Sequence, residues 1–308
     1  MTALRIELGR YLVIRRALGF KLARAELLLA DYLGHLEAIG ADTITTRNAV
    51  AWATLPPNGS SSWWGQRLSV VRAFARHLHV IDPAHEVPPA GLLPARSHRA
   101  VPYLYPDAGI AALMAAARQL RSPVRAATFE TLVGLLAVSG LRIGEGLRLD
   151  RDDVDLDAGV LHIRQTKFGK SRQVPLHPST VDALADYARR RDELCPRPRD
   201  PSFFVSVAGT RVLYCNFHLG WLDLVRRAGL QPRSERCRPR PHDLRHGFAV
   251  RTLLGWYRDG ADVEAHMPLL STYLGHVHPA NTYWYLSAAP ELLVLVAARL
   301  DDAGEDPR

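Results

Sequence analysis

The residues of this 308-residue chain best suited to chemistry lie between Pro241 and Leu286. The stretch opens with PHDLRH, which sets His242, Arg245 and His246 close together. It closes with LGHVHPANTYWYL, which carries His276, Tyr283 and Tyr285. The set resembles neither a metal cage nor a nucleotide loop. It gathers cations and hydrogen-bond donors near a phenol, as attack of a phenolic oxygen on a phosphodiester requires. The crowded phosphorane is negatively charged, and fixed donors around its oxygens lower the barrier. His242 and His246 share one helix face, a spacing that also suits zinc. Asp243 stands where an HExxH motif has its glutamate and no third ligand is evident, so no metal is expected.

Composition agrees with a polyanionic partner. Lys plus Arg number 39 against 31 Asp plus Glu, a formal charge of +8. That balance favours nucleic acid first and an acidic membrane surface second; the plain alternative is a solvated basic surface. Arg233, Arg236, Arg238, Arg240, Arg245 and Arg251 run straight into the chemical stretch, and the guanidinium fork fits paired phosphate oxygens. Three cysteines at wide spacing form no CxxC pair, so reduced thiols are expected. The N-terminal run has charges inside it and no signal-type cleavage site, and no apolar run is long enough to span a membrane. The expected location is the cytoplasm.

The elements that must position these residues read as mainly α. Helical spacing predicts helices over 4–18, 22–39, from Thr43 to Trp52, and over 63–79 capped within Ser60–Ser62. No strand pattern interrupts them, and residues 1–81 read as one helical domain. Within it Arg67, Arg72 and Arg76 stand beside Trp63 and Trp64; the tryptophans are expected in the core and the arginines to face DNA. Residues 82–101 hold a run of prolines with Arg96, His98 and Arg99, expected as an extended basic linker. Residues 102–308 form a second, α-rich domain. It has helices over 108–119, 123–139 and 179–195, a short one from Arg142 to Leu149, and one over 216–228. Its hairpin has strands 160–165 and 172–176, with Lys167 near the tip and Asp150 to Asp157 a turn. An apolar tail helix is expected from about residue 290.

Four motifs in order, GLRIGEGLRL, TKFGKSRQVPL, HDLRHGFA and LGHVHPANTYWYL, are similar to those of the tyrosine recombinases, the phage integrase family. The similarity covers roughly residues 100 to 290. The run HVHPANTYWYLSAAPEL is most similar to transposon-borne integrases of the recombinase-in-trio type. The resemblance implies an N-terminal helical core-binding (SAM-like) domain and a catalytic domain with a small antiparallel β-sheet. It implies Arg142 and Arg245 as the phosphate clamp, His242 and His276 as further site residues, and Tyr285 as the nucleophile. Tyr283, two residues earlier, is the competitor; on a helix the two point to different sides. Lys167 becomes the general acid for the departing 5′-oxygen, with Lys170 its local competitor. For Arg142, an ion pair with Glu145 is the structural alternative.

The function so implied is site-specific cleavage and rejoining of DNA through a covalent 3′-phosphotyrosyl intermediate, with no cofactor. The implied partners are double-stranded DNA with inverted-repeat recombination sites and further copies of the chain. The assembly would be a tetramer on DNA exchanging C-terminal tails, with partner recombinases an open option. The second function kept in view is a non-cleaving DNA-binding accessory protein of the same fold. One departure from the family is the segment between HDLRH and LGH, which is longer than the compact spacing.

Overall fold

The computed structural model describes residues 2–57, 59–93, 101–164, 171–276, 278 and 280–287. Lys167 and Lys170, most of the expected linker's basic residues and the tail from about 290 lie outside the described residues. The chain divides into two compact units, Met1–Arg99 and Ala100–Arg308.

The first unit contains α1 (Ala3–Ala17), α2 (Ala23–Ala38), α3 (Thr46–Thr54) and α4 (Ser61–Ile81). Their apolar stripes meet in one core around Leu12, Leu29, Tyr32, Leu36, Trp52 and Phe74. The cap of α3 is Thr45 rather than Thr43, because Thr45 and Asn48 bond each other's backbone N–H reciprocally. Residues 82–93 are fastened to this unit. The Glu86 N–H donates to the Ile44 carbonyl at 2.8 Å, and Arg72 donates to the carbonyls of Pro88 and Pro89 at 2.7 and 2.8 Å. Proline lacks a donor but keeps its acceptor, which is the group used here.

Two arginines expected to face DNA therefore serve the unit itself. Arg72 clasps the proline segment. Arg67 is buried over the Trp52 ring at 3.7 Å and donates to the Trp52 carbonyl.

The second unit begins with α5 (Asp107–Arg118) and α6 (Pro123–Ser139), which pack against each other. Gly140 ends α6 in the left-handed conformation, φ 59°. A one-turn helix α7 (Ile143–Gly146) follows, shorter than expected because Leu147 and Leu149 already turn into the core. Residues read as a turn instead supply an edge strand: β1 (Val154–Asp155) pairs with β2 (Val160–Ile163), which pairs with β3 (Arg172–Pro175), all antiparallel. Opposite pairs Leu161–Val174 and Ile163–Arg172 lie on the same face of the sheet by period two. Next come α8 (Pro178–Leu194) and α9 (Tyr214–Arg227), then α10 (His242–Arg258) and α11 (Val263–Leu274). These last two take up the extra length between the motifs. The short α12 (Ala280–Tyr283) leads into a 3-10 turn over Trp284–Ser287. Among the described residues, no helix is long and apolar enough to cross a membrane.

Candidate active site

The site forms where three helix ends converge. α10 starts at His242 and buries Leu244, Arg245, Ala249, Val250 and Leu253, so Arg245 occupies what would otherwise be a core position. A buried guanidinium is tolerable only when its donors are met. Arg245 Nη1 donates to the Gly140 carbonyl at 2.9 Å, and Nη2 to the Leu274 carbonyl at 2.7 Å. Both acceptors sit at helix C-termini, where carbonyls lack intrahelical partners and the dipole is negative.

The end of α11 does this three times. Tyr273, Leu274 and Gly275 present consecutive carbonyls, which accept from Arg172 Nε at 2.8 Å, Arg245 Nη2 at 2.7 Å and Arg142 Nη2 at 3.0 Å. Gly275 adopts φ 66° to make this turn, and a Cβ there would meet the Arg172 guanidinium at 2.9 Å. The helix end thus gathers three arginines from three separate segments.

Arg142 precedes α7, and Glu145 returns to cap it. The Arg142 N–H donates to Glu145 Oε2 at 3.0 Å and its Nη1 to Oε1 at 2.8 Å. Burial alone would raise the Glu145 carboxyl, but Arg172 and Arg142 outweigh it and hold the group at about 2. The ion pair and the site position are therefore one arrangement. Two N–H groups of Arg142 are engaged with Glu145 and Gly275 out of the five a guanidinium carries.

Tyr285 is buried, and its phenol and the Arg245 guanidinium act on each other electrostatically. The His276 ring stacks near it, centroids 6.1 Å apart, and the His246 ring meets it edge-on at 5.4 Å. Tyr283 points away, 46% exposed. His276 is fixed by a 2.7 Å hydrogen bond between its Nδ1 and the buried Thr282 hydroxyl. Burial first, then the charges of Arg245 and Arg142, pushes His242 and His276 down to about 4. His242 as a whole is solvent-exposed, so the charges acting on it are partly screened. Burial and the Arg142 charge also bring Arg245 down to about 10, still protonated at neutral pH.

Five of the six sequence-derived site residues, Arg142, His242, Arg245, His276 and Tyr285, lie in this region; Lys167 is outside the described residues. Sequence reasoning missed Arg172. The signal was present: with Val174 it occupies alternate positions of a strand whose inward face is apolar. Part of the basic run from Arg233 to Arg251 is bonded within the unit, while Arg233, Arg236 and Arg238 remain exposed. Arg240 grips both oxygens of the buried Asp243, Arg251 donates to Ala137, and Arg233 donates to Leu104.

With this fold and site in view, the chain belongs to the phage integrase family: the family's model matches residues 105–291. It is a site-specific recombinase enzyme of the tyrosine recombinase class. The protein y4rB of Sinorhizobium fredii, which bears an integrase/recombinase name, is 45% identical over 312 residues and 99% of each chain. The tyrosine recombinase XerC of Azotobacter vinelandii is 29% identical, over 83% of this chain and 81% of the relative. The Tn1549 transposon integrase, solved in complex with transposon right-end DNA, shares the fold with TM-score 0.65 at 17% identity. That match covers 98% of this chain and 99% of that one.

Proposed function

We propose that this chain cuts and reseals duplex DNA by transient esterification of Tyr285 to a DNA 3′ end. The phenolic oxygen attacks the scissile phosphorus, the bond from phosphorus to the 5′-oxygen breaks, and a 5′-hydroxyl leaves. His242 accepts the phenolic proton, and Lys167 returns one to the 5′-oxygen. Arg142 and Arg245 hold the non-bridging oxygens, and His276 adds a hydrogen bond. One phosphoester replaces another, so rejoining needs no nucleotide energy source.

The observation that supports the reading best is the burial of Tyr285 between the rings of His246 and His276, in the same site as Arg245, whose guanidinium is already pinned by two helix-end carbonyls. Preorganised donors lose no reorganisation energy when charge develops. The reading extends to a tetramer acting in the cytoplasm on paired inverted-repeat sites. The Tn1549 integrase, solved with transposon-end DNA, makes the ends of a mobile element the first substrate to try.

The test uses a nicked suicide duplex built from the inverted repeats flanking the reading frame. A covalent adduct mapping to Tyr285 and lost in Tyr285→Phe is expected. DNA binding with no adduct would favour the accessory role, and an adduct on another side chain would overturn the assignment.

A further inference from the structure

We propose that Arg172 is a positioning residue for cleavage: it holds Arg142 in place through Glu145 and ties strand β3 to the end of α11. The inference rests on the Tyr285 reading above.

The bonding around Glu145 is the first observation. Oε1 accepts from Arg142 Nη1 at 2.8 Å and from Arg172 Nη1 at 3.2 Å. Oε2 accepts from the Arg142 N–H at 3.0 Å and from Arg172 Nη2 at 2.8 Å. Each carboxylate oxygen thus takes one bond from each arginine. Removing Arg172 removes half of these donors and leaves a buried carboxylate held only by the residue it is supposed to orient. A carboxylate so placed would draw Arg142 further toward itself, or take up a proton and release it, and either outcome displaces the Arg142 guanidinium.

Location is the second observation. Arg172 stands on the apolar face of the sheet, opposite Ile163 and beside the fully buried Val174, with a side chain only 12% exposed. A charged group there needs a strong reason, since buried charge is costly unless paired. Its third bond, Nε to the Tyr273 carbonyl, goes to the same helix end that pins Arg142 and Arg245. Gly275 leaves room for the guanidinium plane, which a side chain there would displace. One planar fork with three nitrogens meets both carboxylate oxygens and a carbonyl at separate points; an ammonium has its donors on one nitrogen and cannot reproduce that geometry.

The test compares the full-length protein with Arg172→Lys and Arg172→Gln, measuring site-DNA affinity and adduct formation on the nicked duplex across pH. Expected are affinities within about threefold of the parent and adduct formation at least about tenfold slower, since small misplacements of a catalytic group are that costly. In Arg172→Gln the acid limb of the rate should move to higher pH, because burial then acts on Glu145 with fewer opposing charges. Adding Glu145→Gln should abolish that movement. Cleavage within about twofold of the parent, or a loss with an unmoved pH profile, would overturn the inference. So would parallel loss of DNA binding and thermal stability in both variants, which would assign Arg172 to folding. Failure of the parent protein to form any adduct would instead refute the Tyr285 reading.

Discussion

Arg245 donates to the carbonyl of Leu274 at 2.7 Å, a bond that joins the buried face of α10 to the last turn of α11. Its second anchor, the Gly140 carbonyl at 2.9 Å, belongs to the end of α6. One side chain therefore sets the relative placement of three helix ends as well as the charge beside Tyr285. Arg245→Lys keeps a charge but loses the fork. Adduct formation should fall by roughly a hundredfold or more, with site-DNA affinity changed far less. In Arg245→Leu two buried carbonyls lose their donor, at about 1–3 kcal/mol each, and urea unfolding should report that loss.

Gly140 offers a test of the same anchor from the backbone side. At φ 59°, an alanine would be strained, and its Cβ would meet the Phe248 ring at 2.4 Å. Gly140→Ala should destabilise the protein by roughly 1–3 kcal/mol in thermal melts, and cleavage should fall further than binding as the Arg245 anchor shifts.

Tyr283 and Tyr285 differ in burial by a wide margin, 46% against 2% exposed. Tyr283→Phe should form adduct within about twofold of the parent, whereas Tyr285→Phe should form none. Mass mapping of the trapped peptide checks both.

His242 and His276, held down near 4 against an ordinary 6.5, should make stability depend on pH with a definite sign. Below 6.5 the unfolded chain binds protons that the native imidazoles refuse. Stability is therefore complete above 6.5 and is lost as pH falls toward 4. Glu145, held at about 2, contributes stability that is present above 4.5 and lost as pH falls toward 2. Urea midpoints at about pH 7 and about pH 5 should show the decline. Arg142→Gln removes one of the charges depressing both histidines, so their titrations, followed by NMR, should move to higher pH.

Arg67, in the first unit, should behave as a core residue. Its guanidinium stacks on Trp52 and bonds the Trp52 carbonyl. Arg67→Ala should cost roughly 1–3 kcal/mol in unfolding of that unit. If Arg67 instead met DNA, binding would weaken with little loss of stability.

Much of the architecture was legible in the chain itself. Helical periodicity located α1, α2, α4, α5 and α6 to within a residue or two, because each has a long apolar stripe bounded by a glycine, proline or serine. Short elements were harder. α7 and β1 are one turn and one pair of residues, too brief for a period to register, and their positions follow from the surrounding core.

The amino-acid order by itself determined the family motifs, the helical character and the candidates Arg142, His242, Arg245, His276 and Tyr285. Only the tertiary structure decided what each arginine does. Arg142 and Gly275 are 133 residues apart, and Arg245 and Gly140 are 105 apart. The acceptors in these pairs are backbone carbonyls, which every residue carries, so no side-chain type marks them in advance. That is why Arg67, Arg72 and Arg240 read as DNA-facing charge yet are bonded within the protein. It is also why Arg172, which lies among ordinary basic strand residues in the sequence, bonds Glu145 and the Tyr273 carbonyl in space.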